Sequence, residues 1–277
     1  MKRQIAVSAV AALALAACDT PGTPDSPDDT PPPVDDTDDP PPADDDPPPL
    51  EDALVDENGQ IFSYHPPGEL IPGSAPPTIL VDTTVYDSAI TFPAEGPVYL
   101  NSQVYMSGGS QAALNAKGPN QCDPENYSYP WRDNFCEKRG RDQYFCAQGG
   151  HTGVDIRPAT CAKETHWALA PEAGEIYDIG TYGVRLMADD GTWYQFLHLQ
   201  MDDLAVVEGQ EVVAGQRIGK FSNVFFDSNG NPVPTTIHLH LDMKESYAPT
   251  NGDPPFIDRV NPYMTLVKAY ERKLAGE

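Results

Sequence analysis

Two pairs of residues with metal-ligating side chains stand in separate parts of this sequence. His151 and Asp155 form the first pair, and His238 and His240 form the second. The second pair lies in a β-branched and apolar stretch, residues 235–243, where alternate strand residues share a face and both imidazoles would point the same way. Two imidazoles and one carboxylate make a zinc set that leaves a fourth position for water, the arrangement of catalytic sites. These residues therefore predict a catalytic metal site.

The first residues of the chain have the pattern of a secretory signal. A basic start precedes an apolar run, Ile5 to Ala17, that is too short to span a bilayer. The run ends in Leu15-Ala16-Ala17-Cys18, which resembles a bacterial lipobox. We therefore expect residues 1–17 to be a lipoprotein signal peptide and Cys18 to be the acylated first residue. An ordinary cleaved signal followed by a chance cysteine is the alternative.

Residues 18–57 differ in composition from the rest of the chain. After Cys18 they hold fifteen Asp or Glu, no Lys or Arg, and repeated prolines. With so few apolar side chains such a segment does not offset the entropy of ordering, and its like charges repel. We therefore expect a disordered tether. If it were fully extended as polyproline II, at about 3.1 Å per residue, its length would be at most roughly 120 Å.

The acidic tether accounts for much of the net charge. The formal net charge is −25 for the whole chain. Without the fifteen acidic residues of the tether and the two basic residues Lys2 and Arg3, the net charge of residues 58–277 is −12. The remaining part is still acidic and has no basic patch with interleaved aromatics. Nucleic acid is therefore not an expected partner.

Four cysteines follow the tether, Cys122, Cys136, Cys146 and Cys161. In an exported protein they predict two disulfides, with three possible connectivities. We favour the local pairs Cys122–Cys136 and Cys146–Cys161, the second of which would close a loop around His151. A zinc site made of these cysteines is the rival hypothesis, and the lack of a Cys-x-x-Cys pair counts against it.

The pattern after residue 147 predicts an all-β domain over residues 148–277. Short β-prone runs are separated by turn signals such as Asp190-Gly191, and Asn261-Pro262 predicts a short terminal helix over 263–274 with Asn as its cap. Residues 58–147 predict a β-rich extension with a disulfide loop region, in which Trp131 either lines a substrate groove or packs in a loop. The expected strands are 78–81, 89–92, 98–100, 104–106, 154–157, 167–170, 175–178, 184–188, 193–199, 217–221 and 237–243.

The histidine motifs occur in an order that resembles the lysostaphin-type zinc metalloendopeptidases. His-x-Gly-x-Asp at residues 151–155 is followed by Phe196-Leu197-His198-Leu199 and by His238-x-His240, with glycine-rich turns between them. The similarity covers roughly residues 148–265. It implies the family's fold, an antiparallel β-sheet or sandwich built on a duplicated hybrid motif, to which the chain adds a short C-terminal helix.

The resemblance also assigns roles to residues. It implies that His151, Asp155 and His240 bind one zinc ion per chain, and that His198 and His238 are catalytic neighbours of the metal. The implied activity is hydrolysis of peptide bonds in the stems or cross-links of peptidoglycan by a zinc-activated water. With a lipid anchor, a D-alanyl–diaminopimelate cross-link is favoured over a glycine bridge. His65 and His166 are interpreted as structural.

A regulatory function is the alternative to the enzyme. A cell-envelope regulator or a latent member of the same fold would bind and activate another cell-wall hydrolase. In a latent form, the segment before residue 148 would block the zinc, with Asn101 or Asn134 as a fourth metal ligand. A periplasmic zinc store is a third hypothesis, which the two off-metal histidines disfavour. In each case we expect a lipid-anchored protein of the cell envelope that faces the periplasm or the exterior. The sequence leaves open which membrane holds it.

Overall fold

Antiparallel strands dominate the structure, a computed structural model. It describes residues 53–71, 73–100, 121–122, 127, 129–139, 143–147, 150–226, 229–233 and 235–277. The predicted signal peptide, Cys18, nearly all of the predicted tether, the predicted strand at 104–106 and Asn101 lie outside the described residues. Among the helices that are described, none has the length and hydropathy needed to cross a membrane.

The elements of the described residues are short strands followed by one helix at the end of the chain. They are β1 (Thr78–Ile79), β2 (Val98–Leu100), β3 (Cys146–Ala147), β4 (Val154–Pro158), β5 (Trp167–Leu169), β6 (Gly174–Ile179), β7 (Gly183–Ala188), β8 (Trp193–Leu197), β9 (Gln210–Val212), β10 (Arg217–Lys220), β11 (Leu239–Tyr247), β12 (Phe256–Val260) and α1 (Tyr263–Ala275).

One antiparallel sheet of eight strands forms the centre of the fold. Its order is β2-β4-β11-β8-β7-β6-β9, and β12 also pairs with β11. Residues 239–241 of β11 pair with β4, whereas residues 243–247 pair with β12 on the same side. The other side of β11 pairs with β8. Strand β11, which carries His240, therefore lies between β4, which carries Asp155, and β8, which ends one residue before His198.

Alternation along β4 and β11 separates an apolar face from a polar one. Val154 and Ile156 of β4, and Leu239 and Leu241 of β11, are fully buried in the core. The residues between them therefore point to the opposite face. The register aligns His240 with Asp155, so two predicted ligands lie side by side on neighbouring strands.

The segment before residue 148 shares the core of the sheet domain. Trp131 is fully buried, and its ring lies 4.4 Å from that of Tyr270 on α1 and 4.9 Å from that of Phe62, measured between centroids. Trp131 therefore packs in the core and does not line a groove. Strand β2 belongs to the central sheet, and the described residues from 53 onward belong to one compact unit. The predicted boundary between residues 147 and 148 stays a prediction.

The predicted fold class, all-β and antiparallel with a short C-terminal helix, is confirmed. Several details differ. The stretch 89–92 forms no strand, the strand expected at 78–81 spans only Thr78–Ile79, β8 ends at Leu197, and β11 begins at Leu239 and runs to Tyr247. Strands β3, β9 and β12 were not predicted. The helix begins at Tyr263 as predicted, but the predicted cap is wrong, because Pro262 and not Asn261 holds the N-cap position. The Asn261 side chain accepts a hydrogen bond from the Tyr263 N–H.

The disulfide pairing that the sequence favoured is wrong. All four cysteines form disulfides, but the pairs are Cys122–Cys161 and Cys136–Cys146. The chain between residues 136 and 151 doubles back, because the Cys136 N–H donates to the His151 carbonyl and the His151 N–H donates to the Glu137 carbonyl. This ladder brings Cys136 beside Cys146 and leaves Cys161 to the more distant Cys122.

Candidate active site

Three side-chain atoms converge at the point where β4 and β11 meet. His151 Nε2 lies 2.8 Å from His240 Nδ1, and Asp155 Oδ1 lies 3.3 Å from the first and 3.2 Å from the second. All three residues are buried, with 3–7% of their surface exposed. They form the one cluster among the described residues with the geometry to hold a metal ion.

The size of this triangle fits a tetrahedral zinc ion. Bonds of about 2.0–2.1 Å to nitrogen and oxygen at tetrahedral angles separate neighbouring ligand atoms by roughly 3.3 Å. The two separations from Asp155 Oδ1, 3.3 and 3.2 Å, match that value, and the His151 Nε2–His240 Nδ1 separation of 2.8 Å is shorter. Three protein ligands of this kind leave one coordination position for water or substrate.

Each of the two ligand histidines has a second contact, on the ring nitrogen that does not face the cluster. His151 Nδ1 donates a hydrogen bond to the carbonyl of Asn134 at 2.8 Å, and His240 Nε2 lies 3.2 Å from Asp242 Oδ1. Such partners fix the ring orientation and direct the lone pair of the other nitrogen at the metal. The acceptors behind the two imidazoles therefore suit the predicted ligand set.

The charges around His240 favour a cation at this position. Burial lowers the pKa of His240, but the nearby carboxylates of Asp242 and Asp155 outweigh it and raise that pKa to about 9. Although burial opposes it, the imidazoles of His238 and His151 lower the pKa of Asp155, so this carboxylate is ionised. A positive charge is thus stabilised where the ligand atoms converge.

His198 lies next to the ligand cluster, at the end of β8. Its φ of +65° is in the left-handed region, which side-chain-bearing residues seldom adopt. Its N–H donates to the Tyr182 carbonyl and its carbonyl accepts from the Ser222 N–H, so neighbouring segments hold this conformation. The predicted strand through residue 199 is interrupted here, and the turn directs the imidazole toward the cluster, with its ring centroid 6.2 Å from that of His240.

His238 lies beside His198 and precedes β11. The two rings are 4.5 Å apart between centroids, and His238 Nε2 lies 3.4 Å from Asp155 Oδ1. Nδ1 of His238 donates to the Thr236 carbonyl, and Nδ1 of His198 donates to the Val224 carbonyl. In each ring Nδ1 therefore carries the proton, and Nε2, on the other side of the ring, has a free lone pair.

Burial keeps these two imidazoles neutral. It lowers the pKa of His198 to about 4, with His240 adding to the effect, and it lowers the pKa of His238 well below its usual range. A neutral imidazole accepts a proton, which is what a general base near a metal requires. The structure therefore brings all five predicted site residues together, although their individual roles remain predictions.

Gly153 lies between the two ligands of the first motif for a steric reason. A Cβ atom at this position would collide with the Leu241 carbonyl oxygen and lie 2.9 Å from His240 Nε2. Only glycine therefore allows β4 to approach the ligand-bearing part of β11 so closely.

Asn134 contacts the side chain of one predicted ligand and the backbone of another. Its side-chain oxygen accepts a hydrogen bond from the Asp155 N–H at 3.1 Å, and its backbone carbonyl accepts the bond from His151. The amide oxygen is thus engaged with the backbone behind the site. The structure gives Asn134 contacts with two predicted ligands, and its role as a fourth ligand in a latent form stays a prediction.

Sequence reasoning did not find Asp242, Arg157 or Thr236. Asp242 and Arg157 each follow a predicted ligand by two residues on a strand, so the alternation of faces was a signal that would have placed them near the site. No local pattern marked Asn134 as a partner of His151, since the contact depends on a loop folding back across 17 residues.

Comparison with known proteins supports a peptidase. Residues 149–252 match the model described as Peptidase family M23, and this range includes all five clustered residues. The matched range is less than half of the whole chain. No curated protein matches the chain.

Several solved structures are similar to this chain. One, described as a glycyl-glycine endopeptidase LytM from Ruminococcus gnavus, is 18% identical, with a TM-score of 0.41, over 68% of this chain and 63% of that chain. The catalytic domain of lysostaphin from Staphylococcus simulans is 21% identical, with a TM-score of 0.33, over 49% of this chain and 92% of that chain. This chain thus spans less than two thirds of the first structure.

Proposed function

We propose that this protein is a zinc metalloendopeptidase that hydrolyses peptide bonds in peptidoglycan. The observation that carries the proposal is the convergence of His151 Nε2, Asp155 Oδ1 and His240 Nδ1 to within 3.3 Å of one another. The M23 match over the same residues supports a peptidase. The peptidoglycan target rests on the resemblance of the motifs to lysostaphin-type enzymes.

The metal and its protein ligands have distinct tasks in this proposal. His151, Asp155 and His240 would hold the zinc ion. When bound there, it supplies Lewis acidity that polarises the scissile carbonyl and makes water more acidic. Asn134 and Asp242 would keep the two ligand imidazoles in the required orientation through the contacts on their outer nitrogens.

The two neutral imidazoles provide the proton transfers. Nε2 of His198 or His238 takes one proton from water as the water oxygen bonds to the carbonyl carbon. The same pair returns that proton to the leaving nitrogen as the C–N bond breaks, giving a carboxylic acid and an amine; the acid then loses the second water proton to the amine or to solvent and becomes a carboxylate. The outer nitrogens of both rings stay bonded to backbone carbonyls, so only Nε2 exchanges protons.

Removal and return of the metal test the proposal. Full-length protein with one zinc ion is expected to clear a suspension of purified cell walls. Treatment with EDTA should abolish clearing, and stoichiometric zinc should restore it, because the three ligands alone leave no Lewis acid at the scissile carbonyl. Turbidity measures the rate, and mass spectrometry of the released peptides identifies the bond. Equal clearing with and without EDTA would overturn the proposal.

Burial of the cluster favours one second candidate, a latent or regulatory protein. His151, Asp155, His198, His238 and His240 each expose less than a tenth of their surface. If the protein binds one zinc ion but releases no peptides from cell walls, a regulator that activates another cell-wall hydrolase becomes the better explanation. Stimulation of a purified hydrolase by the zinc-loaded protein would then be the direct test.

We also propose that a lipid on Cys18 anchors the protein in the cell envelope, which rests on the lipobox-like sequence. The native protein is expected to partition into the detergent phase of a Triton X-114 separation. Cys18→Ser should move it to the aqueous phase, because the acylated side chain is lost. Recovery of both proteins in the aqueous phase would count against the anchor.

A further inference from the structure

A buried guanidinium lies between the predicted ligand Asp155 and the predicted catalytic residue His238. Arg157 is on β4, two residues after Asp155 and on the same face of the strand, and it is 2% exposed. The register pairs Leu239 with Ile156 and His240 with Asp155. Continued by one residue, this register places His238 opposite Arg157.

The guanidinium contacts both sides of the site. Its Nη2 donates to Asp155 Oδ2 at 3.2 Å, which is the oxygen that does not face the ligand cluster. Its Nη1 donates to Thr236 Oγ1 at 2.7 Å. That hydroxyl lies 3.1 Å from His238 Nδ1, whose main acceptor is the Thr236 carbonyl at 2.7 Å. Thr236 therefore binds Arg157 with its side chain and His238 with its backbone.

These contacts have a consistent physical role. An ionised carboxylate that is 3% exposed requires a charged partner, and Arg157 provides one without occupying the oxygen that faces the metal position. The planar fork of arginine holds two acceptors in fixed relative positions, which the single ammonium of lysine does not. Arg157 thus links the orientation of the Asp155 carboxylate to that of residues 236–238.

We propose that Arg157 is a positioning residue that holds the Asp155 carboxylate for metal binding and, through Thr236, the His238 imidazole for proton transfer. The metal-binding half of this inference depends on the ligand set alone. The proton-transfer half rests on the proposed hydrolytic function, so the two halves are tested by separate measurements on the full-length protein.

Zinc affinity tests the first half. Arg157→Lys keeps the charge but reaches only one of the two acceptors. It is expected to weaken zinc binding by roughly 10- to 100-fold, as loss of a partner behind a metal ligand does. Competition with a chromophoric chelator measures the dissociation constant. Arg132→Lys is the matched control, because Arg132 binds the Glu69 and Leu70 carbonyls in the extension. Its zinc affinity should equal that of the native protein.

Turnover tests the second half. Thr236→Val removes the hydroxyl that joins Arg157 to the His238 segment and leaves the ligands untouched. We expect kcat for a soluble cell-wall peptide to fall about tenfold, with KM and zinc affinity unchanged. Thr236→Ser restores the hydroxyl and should recover most of kcat. Thr265→Val is the control, since it removes a buried hydroxyl that accepts the Tyr86 N–H far from the site.

The outcomes separate the inference from the proposed function. Native zinc affinity in folded Arg157→Lys overturns the metal-binding half, whether or not the protein hydrolyses peptides. Native kcat in Thr236→Val overturns the proton-transfer half, and so does a loss that Thr236→Ser fails to recover. If Arg157→Lys does not fold by circular dichroism, Arg157→Gln, which retains an amide donor, carries the same zinc measurement. A zinc-binding native protein without peptidase activity refutes the proposed function and leaves the metal-binding half standing on its own result.

Discussion

Substitution of His240 by alanine is expected to abolish cell-wall clearing and to weaken zinc binding by more than about 100-fold, which exceeds the loss typical of a partner behind a ligand. His240 contributes one of the three converging ligand atoms and lies between the two carboxylates that stabilise positive charge there. A site with two remaining ligands holds zinc poorly. Chelator competition and turbidity measure the two losses on the same preparation.

His166 provides the matched control for this experiment. Its ring lies outside the cluster, with Nε2 bonded to Thr160 Oγ1 and Nδ1 to the Glu95 carbonyl. His166→Ala should retain zinc binding and clearing, since its contacts are local. If His240→Ala clears cell walls at the native rate while it remains folded, the assigned ligand set is incorrect.

Substitution of Trp131 by alanine is expected to destabilise the whole unit, including the part that carries the site. Trp131 is fully buried among Phe62, Phe92 and Tyr270, so its removal leaves a large cavity between the N-terminal segment and α1. Such truncations cost about 3–5 kcal/mol. In a unit of this size the melting temperature should fall by roughly 6–20 °C, as measured by calorimetry.

Ile257→Ala is the control for this loss, because Ile257 is 77% exposed on β12 and its truncation should change stability by less than about 0.5 kcal/mol. A domain boundary at residue 147 with independent folding on each side makes a different prediction. In that case Trp131→Ala would lower the stability of the N-terminal part alone, and two separate transitions would appear in the calorimetric trace.

Local sequence patterns were sufficient to predict most of the strands that hold the site. Alternation of apolar and polar residues along 154–157 and 237–243 matches β4 and most of β11, because each strand buries one face against the core. Asn261-Pro262 before an apolar segment likewise predicted α1 to within a residue or two. These signals come from residues adjacent in the sequence, so they can be interpreted without knowledge of the fold.

The failed predictions about the disulfides and the site concern contacts between distant segments. Spacing along the chain favoured neighbouring cysteines, whereas the fold joins Cys122 to Cys161 over a separation of 39 residues. The contact of Asn134 with His151 also joins residues that are far apart in the sequence, so the sequence did not predict it. His198 was expected within a strand, but its left-handed backbone depends on hydrogen bonds to Tyr182 and Ser222 from other segments.

The sequence by itself determined the kinds of chemical group and their order: two imidazoles and a carboxylate suited to a metal, with two further histidines nearby. It also determined the antiparallel β class, since both follow from side-chain chemistry and from the two-residue period of a strand. Only the tertiary structure decided that the five side chains meet, and which groups hold them. The register between β4 and β11, the loop that carries Asn134 and the buried guanidinium of Arg157 are set by packing of the whole unit. Alternation along β4 could place Arg157 on the face of the site, but no local pattern specifies the partners of these groups, because the contacts join residues far apart in the chain.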